Sequence, residues 1–424
     1  MRKQPPQPPD ITLTQQKDVI TQVREYQLIT PLYGGGVTRN EADPVTVIRA
    51  TEIRGHLRFW WRACRGGKHE GKLVPMKKEE DAIWGAAYKK GDSIVQQAQT
   101  IQIIVELLKQ GTTVKPFRIE KDKKQKNQAK PVPDIPAYAA FPLQPDQNEL
   151  KRTEPPIPNL RDHISFTLTI SFPEEKRIEV ETALWAWETF GGLGARTRRG
   201  FGALYLEKVD GKDAEHPSSR EVEQWLHNKL IQSGIVEHSL FPAHMPHLSS
   251  NTSFAIVSLG SPMSVWNTLI NKLRDFRQAK NENSSVWPEA KAIRTILHQK
   301  DDKVSSAQSF PRAAFGLPII FHFTGDNAPK DTELKEQGEG KDRFASPLIL
   351  RPLLCSDNKA VGVALLLEDS RIDAQNLSLR EQEGNKRAYP VKSTLSNEEV
   401  KSISILKGET DVLQAFMNFL KGEK

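Results

Sequence analysis

An α+β fold built on a split β-α-β (ferredoxin-like) unit is predicted for the first half of this 424-residue chain, on three observations. Ile164, Phe166, Leu168, Ile170 and Phe172 alternate with polar residues, the period-2 pattern of a half-buried strand. Ala183, Leu184, Trp187 and Phe190 mark one side of a helix from Glu179 to Phe190. Phe201 to Leu206 then reads as a strand, and an earlier strand-helix-strand set completes four strands with two helices on one face.

Taken in order, residues 1–18 are a Pro/Gln-rich tail expected to be disordered. A first domain, 19–210, opens with a strand from Val19 to Tyr33 that closes in the turn Gly34 to Gly36. A loop to about Val47 leads to an arginine-bearing helix. A short helix is expected from Glu79 to Tyr88, with Ile83, Trp84 and Ala87, and a strand from Thr100 to Leu107. Residues 115–160 are an insertion, with Lys121, Lys123, Lys124, Lys126 and Lys130 followed by repeated prolines, read as solvated and mobile. Residues 211–250 are a linker and 251–424 a second domain. In that domain Phe254 to Leu259 is a strand, and Val265, Leu269, Leu273 and Phe276 mark one face of the next helix. Val286 to His298 is another helix, with Ile293 and Leu297 on its apolar side. Strands are expected at Pro318 to Phe323, Leu348 to Leu354 and Val361 to Leu367, around a polar insertion from Gly325 to Lys341. The last helix, Asp411 to Leu420, buries Leu413, Phe416 and Leu420.

The first arginine-bearing stretch is Glu52-Ile53-Arg54-Gly55-His56-Leu57-Arg58-Phe59-Trp60-Trp61-Arg62. At roughly 100° per residue, with Arg54 at zero, Arg65, Arg58 and Arg62 fall near 20°, 40° and 80°. Ile53, Leu57, Trp60, Trp61 and Cys64 occupy the neighbouring apolar face, with Trp60 and Trp61 assigned to packing. A helix whose arginines are merely solvated is the alternative, and this helix alone leaves it open. The stripe itself holds no acid, which favours an anionic partner.

The second stretch is Gly191-Gly192-Leu193-Gly194-Ala195-Arg196-Thr197-Arg198-Arg199-Gly200-Phe201-Gly202. Gly191 and Gly192 are placed to end the preceding helix in a left-handed conformation. The later glycines let the main chain approach a bulky anion, with N–H groups free to donate. The loop lacks the Gly-Lys-Ser/Thr ending of a nucleoside-triphosphate loop, and it follows a helix where a dinucleotide fingerprint follows a strand. Three arginines in four positions suit several phosphates along a polymer.

These two stretches, with Thr30-Pro31-Leu32-Tyr33-Gly34-Gly35-Gly36 before them, resemble the RAMP-superfamily proteins of CRISPR systems, and among them the tandem-domain RAMP subunit of type III-B (Cmr) RNA-guided effectors. Phe310 to Ile319 and Ala345 to Pro352 extend the likeness from about residue 20 to about 370. The resemblance implies two ferredoxin-like (RRM-like, RAMP) domains in tandem with polar insertions, the second degenerate, since it has no copy of the glycine loop. It implies a non-catalytic subunit that holds the 3' part of the guide RNA and helps capture single-stranded target RNA beside the other subunits. A guide-processing, metal-independent endoribonuclease is the alternative. On this reading Arg196, Arg198 and Arg199 clamp phosphates, Gly192, Gly194 and Gly200 permit close approach, and Arg54, Arg58 and Arg62 extend the track. Phe201 is a candidate stacking ring, and Arg312 and Arg351 are candidate contacts in the second domain.

Composition sets bounds around this. Sixty Lys plus Arg against 53 Asp plus Glu give a net charge of +7, compatible with an anionic partner. Two cysteines, Cys64 and Cys355, offer neither a disulfide framework nor a metal cluster, and Cys64 lies on the apolar helix face. No apolar run reaches the roughly 20 residues of a membrane span, so a cytoplasmic protein is expected. Among the histidines His56, His163, His244 and His247, His56 sits away from the arginine stripe. His244 and His247 lack a third ligand at fitting spacing, so no metal, cofactor or catalytic residue is assigned.

Overall fold

The computed structural model describes residues 18–36, 41–90, 93–97, 100–235, 240–282, 284–323, 325, 328–338, 343–368, 376–382 and 386–422. The expected N-terminal tail lies outside the described residues but for Asp18, as do parts of the Gly325 to Lys341 insertion.

The first half comprises β1 (Val19–Leu28), α1 (Ala50–Arg65), α2 (Leu73–Trp84), β2 (Gln102–Lys109), α3 (Ala137–Ala140), β3 (Ser165–Pro173), α4 (Arg177–Phe190), β4 (Leu204–Val209) and β5 (Lys212–Asp213). Its sheet runs β5-β4-β1-β3-β2, with every adjacent pair antiparallel. This is the expected split β-α-β order, with α1 and α4 packed on each other. Tyr26 pairs with Phe166 in register, and the two rings stack at 5.0 Å. Alternation puts Phe166, Leu168, Ile170 and Phe172 under the helices, where Trp61 and Trp187 are fully buried. Each such large apolar side chain contributes about 1.5–3 kcal/mol.

Several boundaries differ from expectation. β1 stops at Leu28, because Thr30 turns inward: its hydroxyl donates to the Gly200 carbonyl and accepts the Ala203 N–H. α2 begins at Leu73 and ends at Trp84, where Gly85 takes a positive φ. Gly191 is extended rather than left-handed; its lack of a side chain serves a close approach, since a Cβ there would lie 2.6 Å from Trp187 and 2.8 Å from Trp60. The insertion folds. Phe117–Lys121 and Asn127–Pro131 pair as a hairpin whose turn is tied by the Asp122 carboxylate, leaving the five lysines exposed. Beyond it, Ile135, Ala139, Ala140 and Leu143 are buried against second-half residues such as Trp266 and Ile270. The expected linker contains α5 (Val222–Gln232), which buries Val222, Leu226 and Leu230 in the first core.

The second half comprises β6 (Ser253–Gly260), α6 (Pro262–Arg277), α7 (Glu289–Gln299), α8 (Asp302–Ser306), β7 (Ile319–Phe321), β8 (Thr332–Glu336), β9 (Leu348–Leu354), β10 (Ala360–Leu366), β11 (Leu377–Glu381), β12 (Ala388–Val391), α9 (Asn397–Ser402) and α10 (Val412–Lys421). Strands β6-β10-β9 make a three-stranded sheet in the order of the first, third and second strands of the same motif, and among the described residues no strand pairs with the free edge of β6. A separate sheet, β7-β8-β11-β12, carries its own small core with Ile293, Ile296, Phe310 and Tyr389. The strands β8, β11 and β12 are additions to the sequence reading.

The sheet β6-β10-β9 is buried on both faces. Leu348, Leu350, Ala364 and Ala255 meet α6 and α10, while Ile349, Leu353, Val361, Val363, Leu365 and Phe254 join the first-half core beneath α1, α4 and α5. Phe190 of α4 stacks on Phe254 of β6 at 5.8 Å. The halves therefore stack in four layers: sheet, helices, sheet, helices.

Candidate nucleic-acid interface

The two arginine-bearing stretches meet. The Glu52 carboxylate, in the first turn of α1, accepts the main-chain N–H of Gly194 at 2.6 Å. Gly194 has φ +78°, and a Cβ on it would lie 2.5 Å from the Tyr33 carbonyl oxygen, so only glycine fits. Ala195 N–H donates to that same oxygen at 2.7 Å, bringing the Gly34–Gly36 turn alongside. Gly35, Thr51, Gly55 and Ala195 are exposed around this junction. It presents a left-handed loop residue, Arg196 at φ +57°, next to a helix start with no side-chain cap. The uncapped helix start leaves first-turn N–H groups for an anion, whereas the Gly194 and Ala195 N–H groups of the loop are spent within the protein.

The predicted cations divide into three groups. Arg54 forms no hydrogen bond or ion pair with any described residue, and partial burial beside Arg58 disfavours its charge. Arg58 and Arg62 are held by acids of α2 that the wheel did not include. Arg58 donates to Glu80 at 2.7 Å, Asp81 at 3.1 Å and the Gly85 carbonyl at 2.7 Å, and Arg62 donates to Glu80 at 2.5 Å. Glu80 and Asp81 are buried, so these arginines neutralise interior charge and are not free cations. Glu79-Glu80-Asp81, three acids on the following helix, was the available signal.

The loop arginines form the second group. Arg198 donates to the Ser346 carbonyl and lies 5.3 Å over the Phe59 ring. Arg199 donates to the carbonyls of Leu348 at 2.9 Å and Phe315 at 3.2 Å, and burial pushes it down to about 9, still protonated at neutral pH. Both fasten the loop to the second half. Arg196 is the exception: its Nε is buried with no hydrogen-bond partner among the described residues.

Of the remaining predicted residues, Phe201, Gly192, Gly200 and Arg351 lie inside the protein and Arg312 is half-buried, which corrects their assignment. Phe201 is fully buried between Tyr33 and Trp266, ring centroids 5.3 and 4.8 Å away, and precedes β4 as a core residue, so it is no stacking platform. Gly192 and Gly200 do allow close approach, but to protein: their Cβ positions lie 2.7 Å from the Gly202 oxygen and 2.6 Å from the Trp266 indole nitrogen. Arg351, on the first-half face of β9, is wholly buried. It donates to the carbonyls of Glu188 at 2.8 Å, Gly191 at 2.9 Å and Leu204 at 2.7 Å, and burial lowers it to about 9. Arg312 is paired with the fully buried Glu289 at 3.0 Å. Trp60 and Trp61 pack as expected, and Trp61 donates its indole N–H to Glu179 at 2.7 Å.

Among the histidines, His56 lies 3.7 Å from Glu52, His163 is exposed beside Asp162, and His247 stacks on Phe241 at 3.9 Å. Among the described residues no three His, Cys, Asp or Glu side chains are grouped to hold a metal, and no helix is long and apolar enough to cross a membrane.

The RAMP superfamily model matches residues 25–205, from within β1 to the start of β4. The chain is 23% identical over 190 residues to the CRISPR system Cmr subunit Cmr1-2 of Pyrococcus furiosus, a match covering 44% of this chain and 94% of that protein. Among solved structures it is similar to crystalline Cmr1 from Pyrococcus furiosus, with a TM-score of 0.48 and 17% identity over 91% of this chain and 96% of that one. It is also similar to a chain in the cryo-EM structure of the type III-B Cmr-beta bound to cognate target RNA, with a TM-score of 0.46 and 13% identity over 95% and 100%. Over residues 25–205, then, the chain is similar to the RAMP superfamily.

Proposed function

We propose that this protein is a non-catalytic, RNA-binding subunit of a type III-B CRISPR effector, holding the 3' part of the guide RNA and helping to capture target RNA beside the other subunits. The match of residues 25–205 to the RAMP superfamily and the similarity to a Cmr subunit support the assembly. The single observation that carries the RNA contact is the Glu52–Gly194 hydrogen bond, which sets the uncapped start of α1 and the glycine loop side by side at the surface. Arg54 and Arg196 supply charge there without a committed acid. Backbone-directed contacts of this kind hold a strand without reading its bases.

Binding of single-stranded RNA by the full chain, followed by fluorescence anisotropy over a salt series, tests the reading. Saturable binding that weakens steeply with salt, with the RNA left intact in the presence or absence of chelator, is the expected result. An affinity unchanged in an Arg54→Ala/Arg196→Ala double variant removes this surface from the interface. A discrete RNA cut lost on a histidine substitution returns the reading to an endoribonuclease.

A further inference from the structure

The glycine loop, α6 and the insertion helix α3 meet at a cluster of guanidinium groups around Arg277. Arg277, the last residue of α6, packs 5.8 Å over the Tyr138 ring of α3 and 5.5 Å over the Phe315 ring. Arg199 reaches the same Phe315 through its carbonyl oxygen. Arg312 donates to the Arg277 carbonyl at 3.0 Å, which places a fourth guanidinium against the group. Arg196 lies near Tyr33 and Tyr138, and the neighbouring Arg277 charge disfavours its ionised form.

Two features of this cluster are unresolved within the protein. Arg196 Nε and Arg277 Nε are both buried and have no hydrogen-bond partner among the described residues, an arrangement that costs about 1–3 kcal/mol for each donor. The charges are also unbalanced. Arg277 disfavours the ionised forms of Arg196 and Arg199, Arg312 disfavours that of Arg277, and the carboxylate that acts on Arg277 is Glu289. Glu289 gives Oε1 to Arg312, and although its Oε2 is unpartnered, one carboxylate does not neutralise four guanidiniums. Forked N–H donors around an aromatic floor suit a tetrahedral oxyanion.

We propose that Arg196, Arg199 and Arg277 form an anion site at the junction of the two halves that takes a single phosphate group. The phosphate comes from a free small anion or from an RNA strand lying over the glycine loop. Either source supplies acceptors for the two unpartnered Nε–H groups and the missing negative charge. Tyr138 holds Arg277 in place from the insertion, which gives that segment a role in the site. The site is independent of the RNA reading, because a small anion alone fills it.

Calorimetric titration of the full chain with inorganic phosphate tests it. The wild type binds phosphate saturably and its Tm rises with phosphate concentration, the linkage expected for a ligand of the folded state. Arg277→Gln and Arg196→Gln each weaken phosphate binding at least about tenfold, as loss of one charge-assisted contact predicts. Arg277→Lys retains part of the affinity on a folded chain, and Arg294→Gln, an exposed arginine elsewhere, leaves it unchanged. No saturable binding by the wild type overturns the proposal, as does equal affinity in Arg277→Gln. Competition then identifies the source: RNA that displaces phosphate occupies the site itself, whereas RNA and phosphate bound together assign it to a free anion. Failure of RNA binding with phosphate binding intact rejects the RNA reading and leaves the anion site standing.

Discussion

The Glu52 carboxylate accepts the Gly194 N–H at 2.6 Å across 142 residues of sequence, and this bond aligns the start of α1 with the glycine loop. Glu52→Gln keeps the size but weakens a charge-assisted acceptor. The variant should lose about 1–2 kcal/mol of stability in urea unfolding. RNA affinity should fall with it, measured by anisotropy at fixed salt, because the loop no longer has a fixed position.

Arg54 and Arg58, one turn apart on α1, should separate cleanly. Arg54→Ala should change stability by less than about 0.5 kcal/mol and reduce the slope of log affinity against log salt by about one unit. Arg58→Ala leaves Glu80 and Asp81 buried with less neutralising charge, so it should destabilise by about 3 kcal/mol or more. Chemical denaturation alongside the salt series reads both effects.

Arg351→Met should destabilise by about 3–5 kcal/mol in the same denaturation assay, since the Glu188, Gly191 and Leu204 carbonyls lose their donor in the interior. Arg351→Lys should recover little, because an ammonium cannot span three acceptors as the planar fork does. In whatever fraction remains folded, the salt slope of RNA binding should match that of the wild type.

Glu179 gives a pH dependence. Burial alone would raise its carboxyl, but the Lys68 ammonium, the Arg65 guanidinium and the Trp61 indole N–H outweigh burial and hold it below its ordinary value of 4.5. A carboxyl lowered on folding contributes stability that is present above its unfolded pKa and lost as pH falls through the folded one. Thermal melts from pH 6 downward should therefore show a decline in Tm below about pH 4.5 that Glu179→Gln flattens.

The shared core predicts one unfolding event. Phe254→Ala removes the ring stacked on Phe190 and should cost about 3–5 kcal/mol while keeping a single calorimetric transition. Two resolved transitions in the wild type would contradict the four-layer stack.

Much of this architecture was legible in the residues. The alternation from Ile164 to Phe172 gave its strand within a residue, and Leu348 to Leu354 matched β9 at both ends, because hydrophobic period and strand type coincide there. The order of the first sheet followed from strand-helix-strand spacing. What local pattern does not encode is the partner of a charge. A wheel places Arg54, Arg58 and Arg62 on one stripe, yet Glu80 and Asp81 come from the next helix and claim two of the three. The loop looked like a phosphate cradle for sound reasons, glycine with arginine, and much of it is a socket for the second half. One clue was present in the second half itself: Leu348-Ile349-Leu350 and Val361-Gly362-Val363-Ala364-Leu365 are apolar at consecutive positions, which signals a sheet covered on both faces. Arg277 and Tyr138 lie in segments read as an amphipathic helix and a mobile insertion, and only the tertiary fold brings them to Arg196.

The burial of Arg351 constrains how such a protein can diversify. Three of its four acceptors belong to the other half of the chain, at the end of α4 and the beginning of β4. A recombination breakpoint between the halves therefore yields a viable descendant only if the incoming donor residue and the inherited carbonyl geometry already agree, so the two halves should descend through lineages as a single inherited block.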